Sequence, residues 1–140
     1  MNDPANYSFD ELKIGLSESF ELQITESMVN DFAKISGDFN PLHMDSKYAE
    51  STKFGKKICH GMLLASLFSR LIGMHIPGKK SLYFSQTLNF LEPCYIDDNV
   101  IVKGELLDKS MATKILTIKT SISNSEKCLV DGIAQVMLLK

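Results

Sequence analysis

The chain changes period near residue 78, and that change constrains its fold more than any other feature. Before it, apolar residues recur three and four apart; after it, they fall at almost every second position. Four segments, 82–91, 99–107, 113–123 and 129–138, read as strands. The connections between them, Asp97-Asp98-Asn99, Asp108-Lys109-Ser110 and Asn124-Ser125-Glu126-Lys127, are short and made of turn formers, so consecutive strands should lie antiparallel. In the first segment Leu82, Phe84, Leu88 and Phe90 are expected on one face, with Tyr83, Ser85, Thr87 and Asn89 on the other.

The first half reads differently. Residues 14–24 form a strand with Phe20, Leu22 and Ile24 on one side; Thr25 follows as a helix N-cap, and Met28, Val29, Phe32 and Ile35 keep helical spacing up to Gly37. A short helical turn is expected at 47–51 and a loop at 52–58. From Gly61 to Met74 the residues are apolar on nearly every side, which predicts a buried helix, and Ser66, Ser69 and Gly73 form a small-residue stripe that admits close approach. Such a helix is most simply accommodated if a curved antiparallel sheet wraps it. The expectation is therefore α+β, with residues 1–140 forming one domain around one core.

Composition narrows the function classes. Hydrophobic residues make up 44% and charged residues 23%, the ordinary balance of a folded domain. The formal net charge is −2, and Lys56-Lys57 and Lys79-Lys80 are isolated pairs expected on the solvated surface, so no nucleic-acid partner is predicted. Cys59, Cys94 and Cys128 show no CxxC spacing and no neighbouring histidine pair; they suggest core packing, with neither a disulfide framework nor a metal site. Residues 1–10 lack the apolar block of a secretory signal, and 62–74 is too short and too interrupted to span a bilayer. A cytoplasmic protein without membrane partners is expected.

The chemistry concentrates in GDFNPLHMD, Gly37 to Asp45. Asn40-Pro41 can fold the chain back so that Asp38 and His43 meet, and a carboxylate beside an imidazole can hold one water and move two protons. The same residues admit a second account, in which Asp38 satisfies loop amides, Asn40 caps a turn and His43 packs in the core. His60-Gly61 directly precedes the apolar helix, so the Gly61 amide would be an unpaired donor at a helix N-terminus, as an oxyanion hole requires. His60 either orients that loop or merely shields the helix end.

SGDFNPLHMD, then HGMLLASLF, then YFSQTLNFLEPCYIDDNV together closely resemble the MaoC-like family of hot-dog-fold proteins, and within it the monofunctional (R)-specific enoyl-CoA hydratases that feed polyhydroxyalkanoate synthesis. The likeness runs from about Phe20 to the end of the chain. It implies a long central helix wrapped by a curved sheet, a homodimer, an acyl-CoA thioester substrate and no cofactor. It also implies Asp38 and His43 as the catalytic pair, the Gly61 N–H as oxyanion donor and Asn40 as support of the loop.

Leu63, Leu64, Leu67, Phe84 and Leu88 are available to narrow an acyl pocket between helix and sheet. The resemblance, closest to short-chain members, implies short acyl chains unless some of these side chains point away and leave a tunnel open. Alternatives are a dehydratase acting on an acyl-carrier-protein or on a specialised acyl-CoA, a hot-dog thioesterase, and an inactive acyl-CoA binding protein.

Overall fold

The computed structural model describes residues 3–140. Its elements are β1 (Ser17–Gln23), α1 (Glu26–Ser36), α2 (Pro41–Met44), α3 (Ser46–Glu50), α4 (Gly61–Arg70), a wider helical turn Leu71–His75, β2 (Ser81–Gln86), β3 (Asn89–Phe90), β4 (Asn99–Lys109), β5 (Ile115–Ser123) and β6 (Cys128–Leu138).

All pairings are antiparallel, in the order β1-β4-β5-β6-β2, with β3 also on β6. The period-two pattern explains the centre of this sheet. Val100, Val102 and Leu106 of β4, Leu116, Ile118 and Ile122 of β5, and Val130, Ala134 and Val136 of β6 point inward and are buried. Register joins them face to face, with Leu106 opposite Ile118 and Ile118 opposite Ala134. These branched side chains suit a pleated surface covered on one face, and their burial is what chiefly stabilises the sheet.

The helix packs Leu63, Leu64, Phe68, Leu71 and Ile72 into this core. The expected wrap-around sheet does not form. The fold is α+β and hot-dog in kind, with its central helix, but the sheet is open: β1 ends it on one side and β2 on the other, and the two do not pair. The reason lies in the helix, which is not apolar all round. Met62 is 56% exposed, and Ser66, Ser69 and Arg70 share the solvent side, so a sheet is needed on one face only. The small-residue stripe accordingly does not serve as a packing seam: Ser66 and Ser69 face outward and Gly73 has open space beside it.

The segment expected as one strand over 82–91 is broken in two. Opposite the break, a Cβ on Gly132 would lie 1.8 Å from the Thr87 carbonyl oxygen, so the chain crosses β6 where there is no side chain to stop it. The Thr87 hydroxyl accepts the Ile133 N–H at 2.8 Å in place of a regular ladder bond. Leu82, Phe84 and Phe90 do not turn into the core together; all three are exposed, while Leu88 packs against it. At the other end of the central helix, residues near the N-terminus are stitched to the turn that follows it, Ala5 N–H to the Met74 carbonyl and Lys79 N–H to the Ala5 carbonyl.

Candidate active site

Each polar residue in the stretch from Ser36 to Asp45 fixes the backbone beside it. Helix α1 starts at Thr25, whose hydroxyl accepts the Met28 N–H, and stops at Gly37, which adopts φ 79°. Ser36 donates its hydroxyl to the Phe32 carbonyl and accepts the Asp38 N–H at 3.1 Å. Asp38 Oδ1 accepts the Asn40 N–H at 3.1 Å, and Asn40 Oδ1 accepts the Leu42 N–H at 3.0 Å. Asn40 is thereby the N-cap of α2, with Pro41 in the first helical position where its missing N–H costs nothing. Asp45 repeats the device for α3, accepting from Lys47 and Tyr48.

The short helix α2 carries His43 back toward Asp38. His43 Nδ1 lies 2.8 Å from the Ile58 carbonyl oxygen, which only accepts, so Nδ1 carries the proton and Nε2 keeps its lone pair. His60 Nε2 lies 3.0 Å from the Asp38 carbonyl oxygen and is the protonated nitrogen of that ring by the same argument. The two imidazoles stack with centroids 4.1 Å apart and 29° between planes, and Phe32 leans on His60 at 4.9 Å. One ligating atom from each of Asp38, His43 and His60 lies within 4.8 Å of the others, close enough to share a single water or a metal ion. Asp38 is exposed, His43 half-buried and His60 buried.

His43 opens onto a cleft of about 700 Å³ whose wall is mostly apolar, including Phe54, Ile58, Cys59, Leu64, Phe90 and Cys94, with Lys53 and Glu92 as its charged members. Gly61 and Met62, the first residues of α4, also line it. Among the described residues their N–H groups have no hydrogen-bond acceptor, and the His60 side chain does not cap the helix. Two free amides at the positive end of a ten-residue helix thus border the cleft. A Cβ on Gly61 would stand 2.8 Å from the Phe90 ring, so only glycine lets that ring close against the helix start.

The structure brings together Asp38, Asn40, His43, His60 and Gly61. Of the five residues expected to bound a pocket, Leu64 lines the cleft. Leu63 is in the core, Leu67 and Leu88 pack against it, and Phe84 is 67% exposed on the edge strand β2. Sequence reasoning did not find Phe90 or the two thiols as cleft residues. Ile58 bridges Tyr95, and the Cys59 N–H donates to the Cys94 carbonyl at 2.7 Å, which sets the two cysteines opposite one another. The neighbouring Cys59 thiol, together with burial, pushes the Cys94 thiol well above its usual range, and Cys94 Sγ donates to the Tyr95 carbonyl at 3.7 Å. The lysine pair 56–57 is engaged as well: Lys57 pairs with Glu26 at 2.7 Å and Lys56 lies over the Tyr95 ring.

Known proteins are similar to this chain in sequence and fold. The chain is 39% identical over 132 residues to an (R)-specific enoyl-CoA hydratase of Aeromonas caviae, covering 94% of this chain and 98% of that one. It is 37% identical over 132 residues to a 3-hydroxybutyryl-CoA dehydratase of Methylorubrum extorquens, covering 94% and 84% respectively. The unliganded R-hydratase PhaJ1 of Pseudomonas aeruginosa superposes with a TM-score of 0.91 at 35% identity, over 96% of this chain and 87% of that one. The MaoC like domain matches residues 12–127, so the loop, the central helix and most of the sheet lie inside it, and the chain belongs to the MaoC-like family.

Proposed function

We propose that the protein is an (R)-specific enoyl-CoA hydratase, adding water reversibly across the double bond of a trans-2-enoyl-CoA to give the (R)-3-hydroxyacyl-CoA. The observation that carries this reading is the convergence of Asp38 on His43, which opens onto an apolar cleft bordered by two free helix amides. Family membership and the activities named for the hydratase relatives support it.

The reaction needs a base toward water, a proton for Cα and a donor for the oxygen that becomes enolate-like between the two events. His43 Nε2 is the base: its lone pair is kept free because Nδ1–H is committed to the Ile58 carbonyl. The water oxygen bonds to Cβ as one of its protons passes to His43. The electron pair of the double bond moves toward the thioester oxygen, which the Gly61 N–H holds. The proton gained by His43 passes to the Asp38 carboxylate, which delivers it to Cα, so both side chains end as they began. Both transfers occur from one face, which gives syn addition. Asn40 holds the loop by capping α2. A loss of absorbance of crotonyl-CoA at the enoyl thioester band, with (R)-3-hydroxybutyryl-CoA as product on a chiral column, is the expected result. No hydration, or an (S) product, refutes the reading.

The protein works as a homodimer joined through the β2 edge. That edge ends the sheet with Leu82, Tyr83 and Phe84 exposed. Sedimentation should show a dimer at micromolar concentration, and Phe84→Lys should shift it toward monomer. An active, stable monomer would remove this part of the proposal.

A further inference from the structure

His60 touches both groups that the proposed reaction uses, the Asp38 peptide through Nε2 and the His43 ring through its face, and is itself buried. We propose that His60 is a positioning residue: its Nε2–H fixes the Asp38 peptide while its ring face supports the His43 imidazole, so one buried side chain sets the distance between carboxylate and base. This rests on the hydratase reading and deepens it.

Three observations carry it. The Asp38 carbonyl receives the His60 N–H at 3.0 Å, at the residue whose side chain must stay near the shared water. The His43 ring, held at its edge by the Ile58 carbonyl, is held on its face by His60 at 4.1 Å, which leaves it little freedom to swing away. Finally, His60 is a poor choice for stability alone. It is only 2% exposed, and its Nδ1 has no hydrogen-bond partner among the described residues, a desolvation cost that leucine of similar volume would avoid. It also occupies the N-cap of α4 without capping it. A ring turned from the helix end toward Asp38 leaves the first amides of α4 unspent, so one orientation serves both halves of the site.

Two variants and one spectrum test this. With crotonyl-CoA, His60→Leu should lower kcat ~10-fold or more with KM within about threefold, because misplacement of reacting groups reaches the rate before it reaches binding. His60→Gln, whose amide can still donate to the Asp38 carbonyl, should recover most of that loss. The thermal midpoint of the leucine variant should equal or exceed that of the parent. A leucine variant with parental kcat, a loss confined to KM, or a glutamine variant no better than leucine overturns the proposal. Should neither variant fold, a long-range ¹H–¹⁵N spectrum of the unsubstituted protein decides: His60 protonated at Nε2 and bare at Nδ1 supports it, and the opposite tautomer overturns it. If the unsubstituted protein fails to hydrate crotonyl-CoA, the reaction assignment falls, while the spectrum still reports whether His60 holds Asp38.

Discussion

The loop from Gly37 to Gly61 and the centre of the sheet in β4, β5 and β6 are held together in opposite ways. In the sheet, many equivalent apolar contacts lie in register, so that Ile118 meets Leu106 on one side and Ala134 on the other. In the loop, single hydrogen bonds hold single residues: Asp38 to Asn40, Asn40 to Leu42, His43 to Ile58, His60 to Asp38. Redundant apolar burial gives stability, whereas unique polar contacts give position. The two regions should therefore fail differently when altered.

The largest expected effect is on stability. Ile118→Ala removes a fully buried side chain from the middle strand and should destabilise the fold by ~2–5 kcal/mol in urea unfolding, while kcat per folded molecule stays close to the parent. A parental unfolding midpoint would show that the sheet centre relaxes around the void, and the contrast would lose its basis.

Asp38→Asn and His43→Gln should do the reverse. Each is expected to lower kcat/KM ~10²-fold or more, with the thermal midpoint nearly unmoved, because each removes a proton-transfer role and little volume. The double variant should lose far less than the product of the two single losses, as both act on one water. Losses that multiply would mean that the residues work independently.

Smaller still, Thr25→Ala removes the cap of α1 and should cost ~1 kcal/mol in unfolding free energy with unchanged kinetics, since the helix leads into the loop without joining the chemistry. The finest discrimination is in chain length. Each added methylene gains ~0.8 kcal/mol where the cleft has room and loses ~1–3 kcal/mol where it overpacks. A kcat/KM series from C4 to C12 enoyl-CoA should fall beyond C6. A flat or rising series would assign medium-chain substrates instead.

What the sequence made legible follows the same division. Strands β4, β5 and β6 lie within two residues of their expected bounds, apart from the shared ends of their turns, because period two with turn-forming connections leaves little choice. Thr25 and Gly37 bound α1 as their capping chemistry requires. The broken strand could not be read, because the break depends on Gly132, 45 residues away from Thr87 in the chain, which permits a backbone approach that no local pattern records. The open sheet escaped for a related reason. Hydrophobic spacing in 62–74 describes the helix alone, and the solvent face defined by Met62, Ser66, Ser69 and Arg70 exists only once the sheet has taken the other side. In the loop, Asn40 caps a turn and Asp38 satisfies an amide as the second account expects, but His43 is half-buried at the cleft and not packed in the core, and the Asp38 carboxylate stands near it. His60 was legible as a neighbour of the helix start but not as a partner of Asp38, since 22 residues separate them.

The opposed thiols acquire a chemical meaning from the company they keep. An enoyl thioester is a Michael acceptor, and a thiolate beside it would add to Cβ and alkylate the protein with its own substrate. Cys94 lines the cleft, but the neighbouring Cys59 thiol and burial hold it in the protonated, weakly nucleophilic form. At Cys94, therefore, the cleft can confine an electrophile next to sulfur and leave the attack on Cβ to water.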